Sequence, residues 1–415
     1  MTLYNLRVLQ LSNKKILNAE LEKIGADPAL TLDRIAKSTL HAIKLEQIPP
    51  RVARFLYQEL ILEGGETVLP AHMDERVDAP VDILLLGTRY QLQHIAIRIR
   101  TQSETELDLL ADDLERVLDS FMLGARGSLT VRNTQFDWGK RTYVMGILNV
   151  TPDSFSGDGV MASSTDFIAS AVAHAEELVA AGADILDIGG ESTRPGSAPT
   201  TAEQEQQRVI PVIQALRDRI RVPISIDTYR AETARLALDS GADIVNDVWG
   251  LRMDAEMKNL VAQRGVPIVI MHNRSKPKDA VQSERLGSRY VGVEYNDLLA
   301  DVIRELRAQV ELGLDAGIAP EKIIVDPGIG FGKTVEQNIE LLNRLSEFRA
   351  LGYPILLGPS RKGFIGFTLD LPTDQRVEGT IATVVLGIER GADIVRVHDV
   401  KAVARAAKMT DAIVR

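Results

Sequence analysis

YVMGILNV (143–150), DILDIGG (184–190), PISID (223–227) and ADIVND (242–247) open a series of eight similar runs. It continues as PIVIMH (267–272), KIIVDP (322–327), YPILLG (353–358) and ADIVRVH (392–398). Each run is short, almost wholly apolar, and closes in a cluster of Gly, Asp, Asn or His. Continuous apolar strands of this kind belong to a parallel sheet covered by helices. Between them the apolar period lengthens to that of a helix, at 166–181, 203–219, 254–264, 296–316 and 335–350. Eight strand–helix units predict an α/β fold, the (β/α)₈ TIM barrel. The rival, an open doubly wound sheet, carries a Gly-rich dinucleotide turn after its first strand, and that turn is absent here.

Three Gly-Ala-Asp repeats, at 182–184, 241–243 and 391–393, mark places where a helix hands over to the next strand. Glycine there supplies a left-handed helix cap, so these repeats read as scaffold.

Upstream the pattern differs. Residues 29–45 and 50–62 have helical spacing, while 81–86 and 93–100 read as strands. Ser103 and Glu106 form a capping box for a helix running to about Phe121. The chain is thus expected to hold a smaller α+β domain at 1–125 and a barrel at 135–415. The first carries no chemical motif and suits a structural or interaction role. Residues 128–136 suggest a hairpin plugging the barrel floor.

Composition narrows the chemistry. Among 415 residues there is no cysteine, which removes disulfides, thiolate metal sites and cysteine nucleophiles together. A formal net charge of −10 opposes a nucleic-acid surface but permits a local cationic pocket for a small anion. No apolar run approaches the roughly 20 residues that span a bilayer, and the N-terminus lacks a signal-peptide core. The expectation is a cytoplasmic protein with neither membrane nor nucleic-acid partner.

Active sites of such barrels lie at the C-terminal ends of the strands. The polar residues there are Asn149, Glu191 with Thr193 and Arg194, Asp227, Asn246, His272, Asp326, Lys362, and Arg396 with His398. Carboxylates, amides and clustered cations in one place suit a planar nitrogen heterocycle joined to a phosphate group.

The loops carry a specific likeness. MGILNVTPDSFSGDG (145–159), GGESTRPG (189–196), SIDT (225–228) and VNDV (245–248) resemble successive strand-end motifs of the dihydropteroate synthases. DPGIGFGK (326–333), GPSRKGFIG (358–366) and RVHDV (396–400) resemble the rest, in the same order. The resemblance spans the barrel and leaves 1–125 outside it. It implies a transferase of folate biosynthesis, joining 6-hydroxymethyl-7,8-dihydropterin pyrophosphate to p-aminobenzoate.

Carried over by position, the resemblance makes Asp326 the carboxylate that pairs with the amino-pyrimidinone edge of the pterin. Asp227 and Asn246 become readers of the remaining ring nitrogens. Lys362 reaches the pterin carbonyl side and the p-aminobenzoate site, with Ser360 and Arg361 beside it. Asn149, Arg396 and His398 fall in the pyrophosphate and Mg²⁺ region, Asn149 as the metal ligand. Asp153, Phe155, Ser156, Thr193, Arg194 and Pro195 lie on two long loops that close over the site. Phe331 and Lys333 approach the substrates from the sixth. The resemblance also implies a homodimer.

One departure is Gly157-Asp158-Gly159, where the family reads Asp-Gly-Gly. GIGFGKT (328–334) is no phosphate-binding P-loop, because Pro327 occupies its first glycine position. Two other readings share the barrel: a pterin-binding methyltransferase acting on methyltetrahydrofolate, and a non-catalytic pterin-binding paralogue. SRKGFIG and RVHDV, which serve the leaving group and second substrate, favour the synthase.

Overall fold

The structure, a computed structural model, describes residues 14–27, 36–71, 73, 79–102, 105–123, 127–151, 164–191, 200–275, 280–283, 286–290 and 293–415. The chain divides into two compact units, Met1–Asp119 and Ser120–Arg415.

In the first unit α1 (Lys14–Lys23) precedes a three-stranded antiparallel sheet. Its strands β1 (Leu40–Ile48), β2 (Glu66–Val68) and β3 (Val81–Thr88) lie in the order β1-β3-β2. Helices α2 (Pro50–Leu62), α3 (Arg89–Arg100) and all but the last turn of α4 (Thr105–Leu123) complete it. Leu56 and Leu60 of α2, Ile83 and Leu85 of β3, and Leu92, Ile95 and Ile99 of α3 share one core.

Two expectations fail here. Residues 93–100 are helical, because Thr88 caps α3 in a capping box with Gln91, and Leu92, Ile95, Ala96 and Ile99 recur at helical spacing on the buried face. Residues 40–45, expected in a helix, are strand: pairing along β3 from Leu40↔Thr88 to Leu45↔Ile83 overrides the local pattern. Ser103 lies outside the described residues.

In the second unit the hairpin of β4 (Ser128–Val131) and β5 (Thr134–Asp137) comes first. All eight expected barrel strands follow: β6 (Tyr143–Asn149), β7 (Ile185–Gly189), β8 (Ile224–Asp227), β9 (Ile244–Asp247), β10 (Ile268–Met271), β13 (Ile323–Asp326), β14 (Leu356–Leu357) and β15 (Ile394–Val397). They form one parallel sheet ordered β13-β10-β9-β8-β7-β6-β15-β14. A single parallel bridge, Val325↔Ile355, joins its two ends and closes the barrel. A second hairpin, β11 (Ala280–Ser283) with β12 (Gly287–Tyr290), interrupts the connection after β10.

Outside the barrel run α5 (Ser164–Ala180), α6 (Ala202–Leu216), α7 (Ala231–Ser240), α8 (Glu256–Arg264) and α9 (Leu298–Asp315). Then come α10 (Val335–Asn343), α11 (Gly363–Leu369), α12 (Val377–Glu389) and α13 (Val400–Val414).

Side chains alternate along a strand, and this sorts the barrel into layers. Leu186, Ile188, Ile226, Val245, Ile270, Val325 and Val397 face the helices. Ile185, Ile244, Val269, Ile324 and Ile394 face the interior, where Leu129, Phe136 and Trp138 of the hairpin region fill the floor against them. Two residues further along the same strands, still facing inward, come Asp187, Asn246, Met271, Asp326 and Arg396. An apolar floor thus carries a polar upper layer, as the strand-end position of the motifs requires.

The Gly-Ala-Asp repeats are scaffold in atomic detail. Asp184 accepts Val144 N at 2.9 Å, Asp243 accepts Ile224 N at 2.8 Å and Asp393 accepts Ile355 N at 3.1 Å. Each aspartate satisfies the amide that opens a neighbouring strand, while its glycine takes φ of +103° to +115°.

Candidate active site

Asp187 was not singled out from sequence, yet it is the hub of the polar layer. It is fully buried on β7, in register with Ser225 of β8. Its Oδ2 accepts Arg396 Nε at 2.6 Å and Asn246 Nδ2 at 3.0 Å. The signal was present in DILDIGG, where an acid sits mid-strand with interior parity. A charged residue there must be paired, since burying it alone is very costly.

Arg396 also donates from Nη2 to Asp227 Oδ2 at 2.6 Å. Gly189 lies opposite Asp227 in register. Burial, with the acids Asp187, Glu205 and Asp247 nearby, pushes Asp227 up to about 7 against the pull of Arg396. Asp227, Asn246 and Arg396 therefore converge around Asp187, which brings Arg396, expected on the pyrophosphate side, against the two residues expected at the pterin ring.

Asp326 ends β13, and its Oδ1 accepts Gly328 N at 2.7 Å. Burial raises its pKa, opposed by the Lys362 charge. Lys362 donates to Ile329 O, and its Nζ lies 4.4 Å from the centre of the Phe331 ring. Burial, resisted by Asp326, brings Lys362 down to about 8. Gly330, at φ +84°, is what lets Lys362 cross this loop, because a Cβ there would come within 2.6 Å of its Cδ. Asp326, Lys362 and Phe331 thus form a second group.

His398 and Ser360 meet at the end of β15: His398 Nδ1 lies 3.0 Å from Ser360 Oγ, which also accepts His398 N at 3.1 Å. Arg361 is ion-paired with Asp399, Nε to Oδ2 at 2.8 Å. Its guanidinium thereby braces the start of α13.

Lys333, expected at the substrates, is 2% exposed. It lies 3.0 Å from each of His272 Nδ1, Gly328 O and Phe331 O. Burial lowers it to about 7, against the pull of Asp326. His272 is fully buried beside it, and its Nε2 lies 3.0 Å from Glu305 Oε2. Burial and the Lys333 charge lower His272 to about 3.

Asn149 is half-buried at the end of β6, opposite Gly189. Asp153, Phe155, Ser156, Thr193, Arg194 and Pro195 lie outside the described residues, as does Gly157-Asp158-Gly159. The base of the second long loop is described, however. Arg230 donates to Glu191 Oε2 at 2.7 Å before it and to Thr200 O at 2.8 Å after it. Arg230 also meets the buried Glu205 at 2.8 Å, so both ends of the loop are pinned to α6. That arginine carried no signal in the sequence beyond its position after SIDT.

Among the described residues no group of three or more His, Asp or Glu could hold a metal ion. A Mg²⁺ ion with one amide ligand, completed by phosphate oxygens and water, is compatible with Asn149 standing alone. Also among the described residues, no helix is long and apolar enough to cross a membrane.

The family profile described as pterin binding enzyme matches residues 145–398. The dihydropteroate synthase of Clostridium beijerinckii is 47% identical over 288 residues, 69% of this chain and all of that protein. The structure of the Xanthomonas albilineans dihydropteroate synthase in complex with 7,8-dihydropteroate superposes with a TM-score of 0.60. It is 37% identical, covering 69% of this chain and 98% of that one. A probable bifunctional folylpolyglutamate synthase/dihydropteroate synthase of Haloferax volcanii is 40% identical over 381 residues. That match covers 88% of this chain and 42% of the relative, so it reaches beyond Ser120–Arg415 into the first unit. With more than half of its length matched by the profile, and a relative aligned from end to end, the chain belongs to the pterin-binding enzymes as one of the dihydropteroate synthases.

Proposed function

We propose that the barrel mouth carries out the synthase reaction with the following division of labour. The observation that carries it is the inward-facing polar layer of Asp187, Asp227, Asn246, Asp326 and Arg396 set directly above an apolar floor. Asp326 takes the paired N–H donors of the pterin pyrimidinone edge, a bidentate contact that fixes the ring plane. Asn246 and Asp227 read the remaining ring nitrogens. Lys362 reaches the pterin carbonyl, and with Phe331, Ser360 and Pro195 it shapes the p-aminobenzoate side.

The reaction is a substitution at the exocyclic CH₂: the aryl amine nitrogen forms the new bond, the C–O bond breaks, and pyrophosphate leaves with the electron pair. An aryl amine is a weak nucleophile, so ionisation of the leaving group carries much of the barrier. His398 and Arg396 face the charge building on pyrophosphate. Asp227 and Asp187 keep the neighbourhood of the pterin negative while a cation develops on it. Mg²⁺, bound through Asn149 and the pyrophosphate oxygens, would neutralise the leaving group further. No nucleophile–base pair is needed for this chemistry.

We further place an accessory domain at 1–125 and the catalytic barrel at 135–415, with a cytoplasmic location and a homodimer formed through barrel helices. The lack of a clustered polar constellation in the sequence of the first unit supports a structural or interaction role for it.

The decisive experiment mixes the purified chain, Mg²⁺, 6-hydroxymethyl-7,8-dihydropterin pyrophosphate and p-aminobenzoate, following dihydropteroate and pyrophosphate together. Equal release of both is expected. Pterin binding without either product would favour the methyltransferase or the non-catalytic paralogue.

A further inference from the structure

The connection from β13 to α10 carries a buried charge that the division of labour above leaves unused. An ammonium has three hydrogens, and Lys333 Nζ has three acceptors at 3.0 Å: His272 Nδ1, Gly328 O and Phe331 O. Every hydrogen is committed inside the protein. With Lys333 as the ammonium, His272 Nδ1 accepts and the imidazole proton sits on Nε2. There it meets Glu305 Oε2 at 3.0 Å, and Glu305 is in turn held by Arg274 Nε at 2.9 Å. A chain of four side chains from the loop after β10, α9 and the loop after β13 ends on two backbone carbonyls.

Those carbonyls belong to a segment with little conformational preference of its own. Gly328, Gly330 and Gly332 take φ of +71°, +84° and +62°, values open to glycine and hardly otherwise. Asn338 steadies the far side by accepting Gly330 N at 2.6 Å. Lys333 steadies the near side, bracketing the turn between Gly328 and Phe331. What the turn presents is Ile329 O and the Phe331 ring, and these are the two features that seat Lys362.

We propose that Lys333 is a positioning residue for the second-substrate side of the site. Seated on a neutral His272 oriented by Glu305, it fixes the 328–331 backbone and through it Phe331 and Lys362. The proposal rests on the reading that Phe331 and Lys362 serve p-aminobenzoate. It differs from a direct contact between Lys333 and either substrate.

The test uses the full chain. Lys333→Met keeps length and apolar stem but cannot donate. The KM for p-aminobenzoate is expected to rise at least tenfold, with a several-fold smaller loss of affinity for unphosphorylated 6-hydroxymethyl-7,8-dihydropterin, because Lys362 and Asp326 also touch this turn. His272→Asn, which retains an acceptor near the Nδ1 position, should remain within threefold of the wild-type KM. His272→Leu should reproduce the Lys333→Met value, and the double variant should be no worse than either single one. An unchanged KM in Lys333→Met, or a loss of pterin affinity as large as the rise in KM, overturns the proposal. Should Lys333→Met fail to fold, equal KM values for His272→Asn and His272→Leu overturn it as well. A wild-type chain that forms no dihydropteroate counts instead against the reaction itself, and takes the proposal with it.

Discussion

Arg396 Nη2 donates to Asp227 Oδ2 at 2.6 Å, tying β15 to β8 across the mouth of the barrel with β6 and β7 between them. Such a pair is costly to bury and far costlier to break, because removing one partner strands the other in a poor solvent for charge. The same guanidinium also holds Asp187, so a single cation offsets two acids. Arg396→Met is therefore expected to destabilise the barrel by about 3 kcal/mol or more, from the usual cost of orphaning a buried charge. Urea unfolding of the two proteins would measure it, and a loss within 1 kcal/mol would sink the idea.

The pair also sets a pH dependence. A carboxyl held near 7 is protonated below that value and then cannot accept the ring donors as an anion. Affinity for unphosphorylated 6-hydroxymethyl-7,8-dihydropterin should fall as pH drops through about 7. Arg396→Gln removes the cation that favours the charged form, so its acid limb should move to higher pH. Titrating pterin fluorescence from pH 5 to 9 separates the two proteins.

Asp326 offers the paired contact to the pterin edge. Asp326→Asn keeps the shape but replaces one acceptor oxygen by a donor and removes the charge. Hydrogen bonds to charged groups contribute roughly 1.5–3 kcal/mol each, so pterin affinity should drop about a hundredfold or more. Calorimetric binding within tenfold of wild type would remove Asp326 from its assigned role.

Gly328 is required twice over. Its φ is +71°, and a Cβ would fall 1.8 Å from His272 O. Gly328→Ala should cost at least about 2 kcal/mol through strain and displacement of the loop. A melting temperature equal to wild type, read by circular dichroism, would contradict this.

Chelating Mg²⁺ should abolish turnover but leave binding of the unphosphorylated pterin intact, since among the described residues no group of three or more His, Asp or Glu could hold the ion. Asn149→Ala should raise the Mg²⁺ concentration needed for half-maximal rate. An EDTA-treated enzyme with full activity would exclude the metal.

All eight barrel strands were readable in the sequence because buried parallel strands are apolar on both faces, a pattern that survives whatever packs around it. The N-terminal unit was harder for the same physical reason in reverse. In QLQHIAIRIR the isoleucines 95, 97 and 99 alternate as in a strand, yet the segment is α3 and Ile97 is left 57% exposed. Capping by Thr88 and the core contacts of Leu92 and Ala96 decided against the local period. In the site, residues that end strands stood out, whereas Asp187 was hidden inside one. The contact of His272 with Lys333 joins positions 61 apart in sequence, and only the closed barrel brings them together.

Closure itself is uneven. Seven strand neighbours share two or more paired residues, but β13 and β14 meet through Val325↔Ile355 alone. Asp326 stands on one side of this seam and Ser360, Arg361 and Lys362 follow on the other. Lys362, reaching back to Ile329 O and Phe331, is a strap across the gap. A pterin held by Asp326 and Lys362 together would act as a rivet in the wall. Amide hydrogen exchange in β14 should then slow on ligand binding more than in β7 or β8, making the substrate part of the barrel's own circumference.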